Sequence, residues 1–246
     1  MKDAPVVLPR PTAQRQPYDH AAWTGRRRWL RFLLRTVGFG LLAKLDHAEG
    51  LEHLPTSGPA IIMINHIAFI DPIVVMHVSP RDIVPLAKVE VYNYPVIGII
   101  PRLWGVIPVR REEVDRRAVV QVMEVLRAGE MVLVAPEGTR SPALQTGKEG
   151  VAYLASRAQV PIIPTAVDGT IGFPALRPAK PWDQPGARVR FGRPFRYRPE
   201  FQNARHEQLR QMTDEAMYQL AALLPPGRRG VYHDVEHATH ATIEWV

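Results

Sequence analysis

The chain has 246 residues, 46% of them hydrophobic, which is enough for one sizeable core without a second domain. Its 31 Lys and Arg against 24 Asp and Glu leave a formal charge of +7, which points to an anionic partner: a phosphorylated substrate, an anionic lipid or a nucleic acid. There is no Cys, which excludes disulfides, thiol nucleophiles and Cys-ligated zinc, and there is no RNA- or DNA-binding signature, so no nucleic-acid partner is expected.

Residues 1–20 contain Pro and Gln, with little periodicity and no apolar stretch of the signal-peptide kind, and are expected to be poorly ordered. From residue 21 to 47 the character changes. Trp23, Trp29, Leu30, Phe32, Leu33, Leu34 and Val37 are interrupted by Arg26, Arg27, Arg28, Arg31 and Arg35, too many charges for a spanning helix. The mixture suits a helix in a membrane interface, with arginines at the phosphates and Trp, Phe and Leu at the acyl boundary. Gly38 and Gly40 are expected to split it in two. The competing reading is an amphipathic helix packed on the core with its arginines solvated.

After a polar, turn-rich stretch from Ala48 to Pro59, the run Ala60-Ile61-Ile62-Met63-Ile64 reads as an interior strand. It gives way to Asn65-His66-Ile67-Ala68-Phe69-Ile70-Asp71-Pro72. Asp71 is a favoured N-cap and Pro72 fits the first helical position, so a helix is expected to run through Val78 and stop at Ser79-Pro80. His66 then sits on a strand-to-helix loop, and a turn can bring Asp71 back to it. The carboxylate would fix the imidazole tautomer and stabilise the imidazolium formed when the ring removes a hydroxyl proton. No Ser adjoins His66 and no Cys exists, so the attacking oxygen has to come from a substrate alcohol. The alternatives are a packed or solvent-facing His and an Asp that only caps; His77 is read as a packed histidine.

Asp82 to Lys88 reads as a strand, and Val91 to Ile100 as mixed helix or loop whose Val96, Ile97, Ile99 and Ile100 belong to the core or wall an acyl tunnel. Gly105 to Val109 is a strand ending in Arg110-Arg111, suited to bidentate recognition of phosphate oxygens or simply surface charge. Val114 to Ala128 is helical in pattern and Met131 to Val134 is a buried strand. Ligands bind beyond strand ends in open sheets, so the loop Pro136-Glu137-Gly138-Thr139-Arg140 is expected to share a site with His66. Gly138 allows close backbone approach and offers its N–H as a candidate oxyanion donor, Arg140 supplies charge, and Glu137 is expected to hold Arg140 or another arginine, functionally or as a structural pair. Thr146-Gly147-Lys148-Glu149 has a capping-box pattern, with Lys148 and the helix N-terminus presenting positive potential. Val160 to Val167 is a strand whose Pro161 and Pro164 suggest an edge or a bend. A Pro-rich loop (173–186), a strand from Arg188 to Gly192 and a helix from Ala204 to Leu224 follow. In the tail, His233, Asp234, His237 and His240 would share a helical face, but an exposed polar tail is preferred to zinc, and no metal or bound cofactor is expected.

These elements predict an α/β fold: a single domain with a mixed central sheet flanked by helices, preceded by an amphipathic helical segment. The division expected is 1–20 poorly ordered, 21–47 interfacial helices, 48–228 catalytic domain and 229–246 polar tail.

Asn65-His66-x4-Asp71, then Gly105-Val106-Ile107-Pro108-Val109-Arg110-Arg111, then Ala135-Pro136-Glu137-Gly138-Thr139-Arg140-Ser141 and Val160-Pro161-Ile162-Ile163-Pro164-Thr165 stand in that order over residues 60–170. The set resembles the glycerolipid acyltransferase family, which includes 1-acylglycerol-3-phosphate acyltransferases. It departs at Ala68, where a small hydroxyl residue is common, and at Ala135, where an aromatic is. The resemblance implies His66 as general base and Asp71 as its partner. It also implies Arg110, Arg111, Glu137, Gly138, Thr139, Arg140 and Lys148 as substrate-binding residues. The implied reaction moves an acyl group from acyl-CoA or acyl-carrier protein to the hydroxyl of lysophosphatidic acid, giving phosphatidic acid. The implied setting is peripheral or monotopic, at anionic lipid on the cytoplasmic side of a membrane. Other acceptors (glycerol-3-phosphate, another lysophospholipid, an acylated amino-acid lipid), a thioesterase, and a non-catalytic lipid-binding protein are the alternatives.

Overall fold

The computed structural model describes residues 19–95, 98–110, 115–174 and 183–246. At its centre is β2 (Ala60–Ile64), in which all five residues are buried. It pairs in parallel with β5 (Met131–Val134) on one side and with β6 (Ile162–Asp168) on the other. Beyond β5 the sheet continues in parallel through β3 (Ile83–Lys88) to β4 (Ile107–Val109). Beyond β6 lie β7 (Ala187–Phe191), antiparallel, and β1 (Leu45–Glu49), parallel to β7. The result is a mixed sheet in a single α/β domain, with helices on both faces, as the element pattern predicts. That double cover is why the central strands are continuous apolar runs.

On one face α5 (Arg116–Arg127), α6 (Gly150–Ala158) and α7 (His206–Ala222) bury Val122, Leu126, Val151, Leu154, Met217 and Leu220 against Ile61, Met63 and Val132. On the other, α3 (Asp71–Val78) packs with Phe39, Trp104 and Val189 over Ile62, Ile64 and Leu133. A short helix, α4 (Ile99–Trp104), leads into β4.

Pro164 lies inside the sheet, not at an edge. Its antiparallel side changes partner there, from β8 (Phe195–Tyr197) at Ile162 to β7 at Thr165–Asp168, so the missing N–H falls where no ladder bond is called for. The segment from 229 to 246 is largely exposed, with His233, Asp234, His237 and His240 at the surface, but it is tied to the domain. Its β9 (Ile243–Trp245) pairs with β8, and the Glu215 carboxylate accepts from Thr239, Ala241 and Thr242, with Thr242 fully buried. The capping box expected at Thr146 does not form: α6 begins at Gly150 with no side-chain cap.

The N-terminal segment departs most from expectation. Helix α1 (His20–Leu33) passes through a π-helical turn (Leu34–Gly38) into α2 (Phe39–Leu42) without the break assigned to its glycines. Its arginines do not all face outward. Arg27 is fully buried, bonding Glu130 at 2.5 Å and the Trp104 carbonyl at 2.9 Å. Arg31 reaches Asp82 at 3.1 Å and the Pro80 carbonyl at 3.0 Å, and Arg35 reaches the carbonyls of His77 and Ser79 at 3.2 and 2.5 Å. These residues, four apart, form one inward stripe. Part of the apolar set points out: Trp29 is 61% exposed, Phe32 62%, Val37 60% and Leu41 71%, whereas Phe39 is buried and Leu30, Leu34 and Leu42 pack against the core. The segment thus meets the protein through three arginines together with Leu30, Leu34, Phe39 and Leu42, and turns a second apolar stripe outward beside the exposed Arg26 and Arg28.

Candidate active site

The site lies past the carboxyl end of β2. Asn65, the first residue after the strand, is buried, and its amide donates to the Val167 carbonyl at 2.8 Å and accepts the Val167 N–H at 2.7 Å, tying the end of β2 to β6. His66 follows, its side chain 14% exposed. Asp71 is not the N-cap of α3 but its first helical residue, and its side chain turns back to the loop before it. One oxygen, Oδ2, takes the Ile67 N–H at 2.7 Å, the Ala68 N–H at 2.8 Å and His66 Nδ1 at 2.9 Å. Oδ1 takes the Thr170 hydroxyl at 2.5 Å.

A fully buried carboxylate with this set of donors is an acceptor only, so Nδ1 of His66 carries the proton and Nε2 is left as the basic nitrogen.

Glu137, on the loop after β5, pairs with no arginine among the described residues. It is buried, and its carboxylate accepts the backbone N–H of Gln145 at 2.8 Å and, more loosely, that of His66 at 3.4 Å. Burial pushes its carboxyl up to about 7 against the pull of those two donors, and the Asp71 charge adds to the rise. The neighbouring Ser141 N–H donates to the His66 carbonyl at 2.8 Å. The His66 loop and the 137–145 loop are thus fastened to each other through backbone groups.

Both border a cavity of about 390 Å³. His66, Arg110, Gly138 and Lys148 stand at its polar part, and Leu86, Val109, Ala118, Val119, Val122, Leu133, Val151 and Leu154 make an apolar wall between the sheet, α5 and α6. Gly138 has φ +69°, and a Cβ there would come within 3.2 Å of the Lys148 ammonium, so glycine suits this turn on both counts. Its N–H is already given to the Ala135 carbonyl at 3.1 Å, so it is not available as the oxyanion donor expected of it. Thr139 and Arg140 are exposed and do not line the cavity, although Arg140 is bonded in sequence to the Ser141 that holds His66. Arg111 lies outside the described residues. Ile99 and Ile100 wall no tunnel: they are half exposed on α4, and Val96 and Ile97 lie outside the described residues.

Asn65 and Thr170 are partners that reading the sequence misses. Asn65 adjoins His66 and was within reach of inspection, whereas nothing near Thr170 signals its contact 99 residues away. Lys88, at the end of β3 beside Val109 of β4, adds a further cation on this side of the sheet, paired with Glu90 at 3.2 Å. Among the described residues no group of three or more His, Asp or Glu is placed to hold a metal ion.

The model of the acyltransferase family matches residues 47–168, a span that contains the His66–Asp71 pair, the Glu137 loop and the whole cavity wall. Over that span this chain belongs to the acyltransferase family. A 1-acyl-sn-glycerol-3-phosphate acyltransferase of Borreliella burgdorferi is 32% identical over 128 residues, 50% of this chain and 51% of that protein. The alpha form of Homo sapiens is 36% identical over 130 residues, 51% of this chain and 46% of that protein. The chloroplast enzyme LPAT1 of Arabidopsis thaliana is 33% identical over 129 residues, covering 50% of this chain and 35% of that protein. The alignments thus span between a third and half of these acyltransferases. The crystal structure of the acyltransferase PlsC from Thermotoga maritima shares the fold, with a TM-score of 0.58 over 77% of each chain at 24% identity.

Proposed function

We propose that this chain transfers a fatty acyl group from acyl-CoA or acyl-carrier protein to the free hydroxyl of lysophosphatidic acid, giving phosphatidic acid. The observation that carries the reading is the His66–Asp71 contact of 2.9 Å at the edge of an apolar cavity of about 390 Å³. Nε2 of His66 takes the hydroxyl proton as the oxygen attacks the thioester carbonyl. The tetrahedral intermediate collapses, the thiolate leaves, and the imidazolium returns the proton to it. Asp71 keeps the ring in the required tautomer and offsets its transient charge. The acyl chain lies along Val119, Val122 and Leu154, while Arg110 and Lys148 at the polar part of the cavity hold the phosphate. Glu137 serves by fixing the loop, with Gly138 shaping the approach.

The setting proposed is the cytoplasmic surface of a membrane rich in anionic lipid, with peripheral or monotopic attachment. No described helix is long and apolar enough to cross a membrane, and the outward apolar stripe of α1 and α2, joined by exposed Ile99, Ile100 and Leu103 on α4, gives a surface for docking to one.

Thiol release from acyl-CoA, followed with and without a panel of lysolipid acceptors, tests the activity. Release that requires lysophosphatidic acid is expected. Release without any acceptor means a thioesterase, and none under any condition means a lipid-binding protein. His66→Ala is expected to abolish transfer with an unchanged circular dichroism spectrum, and near-normal turnover by that variant removes His66 from the chemistry.

A further inference from the structure

Asp71 has two carboxylate oxygens and uses them unequally. Oδ2 serves His66 and two backbone N–H groups, while Oδ1 is served by the Thr170 hydroxyl at 2.5 Å, a length typical of a hydroxyl donating to a carboxylate. Thr170 is fully buried, does not line the cavity, and lies beyond residues 47–168 that the family model covers. We infer that Thr170 is a positioning residue for proton transfer, acting through Asp71 on His66. The inference rests on the proposed role of His66 as the base.

The hydroxyl is delivered by the backbone. Gly169, just after β6, has φ +74°, and a Cβ there would stand 2.3 Å from the Gly186 carbonyl oxygen, so the chain turns inward here only because the residue is glycine. The turn is closed by the Phe173 N–H on the Thr170 carbonyl at 3.1 Å, with Phe173 itself buried. Such a turn aims one side chain at one atom.

Two consequences follow for the chemistry. A carboxylate gripped at Oδ2 alone can still rotate, and the donor on Oδ1 stops that rotation, which keeps Oδ2 on the Nδ1 proton. The hydroxyl also draws off part of the carboxylate's negative charge. Without it, more charge would face His66, the imidazolium would be favoured, and the ring would stay protonated to higher pH, where it cannot act as a base.

The test is Thr170→Val, nearly the same shape without the hydroxyl, assayed with acyl-CoA and lysophosphatidic acid across pH. Loss of a hydrogen bond to a buried charge predicts a fall of about tenfold in kcat. KM for both substrates should stay within about twofold, because Thr170 touches neither. The acidic limb of kcat/KM should move to higher pH, and Thr170→Ser should restore both rate and profile. A Val variant with normal kcat and an unmoved limb overturns the inference. So does one that loses rate through raised KM values alone, or with no shift of the limb, since a structural defect would do the same. If the Val variant does not fold, Thr170→Cys, similar in size and a poor donor, is judged by the same criteria. His66→Ala assayed alongside separates the two claims. An inactive His66→Ala with a normal Thr170→Val sinks only the role of Thr170, while an active His66→Ala sinks the base and the inference with it.

Discussion

Asn65 and Val167 hold each other by a two-way amide exchange, at 2.8 and 2.7 Å, at the point where β2 ends and the His66 loop begins. The bond does for one residue what another ladder rung would do for the strand, and it decides where His66 leaves the sheet. Asn65→Ala would strand a buried N–H and a buried carbonyl. The expected cost is about 2–4 kcal/mol of stability, read by urea denaturation, together with lower kcat for the proposed transfer, since His66 is no longer carried at a fixed place.

Glu137 makes stability depend on pH in a direction opposite to an ordinary ion-paired carboxylate. Its carboxyl lies near 4.5 when unfolded and about 7 when folded, so the folded state holds the proton more tightly. The stability this contributes is complete below the unfolded value and is lost as pH rises through the folded one, a swing of about 3 kcal/mol. Glu137→Gln lacks the titrating proton. Its stability relative to the natural chain should therefore improve between about pH 5 and about pH 8; a difference that stays flat or moves the other way in denaturation series contradicts the shift.

Ala118 and Val122 of α5 face the cavity with small side chains. Ala118→Phe would fill part of the 390 Å³. Activity with long-chain acyl donors should fall well below activity with short-chain ones, measured as the ratio of kcat/KM values. An unchanged ratio would mean the acyl chain lies elsewhere.

Deleting residues 1–47 is a poor test of membrane attachment, because it would remove Arg27 from buried Glu130 and uncover the partners of Phe39 and Ala43. Changing Trp29, Phe32, Val37 and Leu41 together to Ser leaves the inward arginines in place. The variant should stay folded but lose most of its co-sedimentation with anionic vesicles, by roughly 25 cal/mol for each Å² of apolar surface no longer buried in lipid.

The central strands, α3, α5, α7 and the His66–Asp71 pairing are legible in the sequence because each rests on local pattern: a short apolar run, a 3.6-residue period, a five-residue separation. What is not legible depends on faces and distances. A helix with arginines four apart reads the same whether the arginines meet water, phosphate or carbonyls, and only packing shows that Arg27, Arg31 and Arg35 turn inward. Pro164 argued for an edge because the change of partner from β8 to β7 is a property of three strands together. Glu137 suggested an arginine partner, since a carboxylate's preference for two backbone N–H groups leaves no mark in composition. Thr170 and β9 are joined to their partners across long stretches of chain, with no local rule to announce them.

The two ends of α3 are engaged differently: Asp71 opens it beneath His66, and the carbonyls of His77 and Ser79 at its far end are gripped by Arg35 of the N-terminal segment. Eight residues of helix make a strut of about 12 Å. In the membrane setting proposed above, the outer stripe of α1 would carry the imidazole at one height and one tilt over the lipid, and acceptors would rise to the ring by the same short path each time.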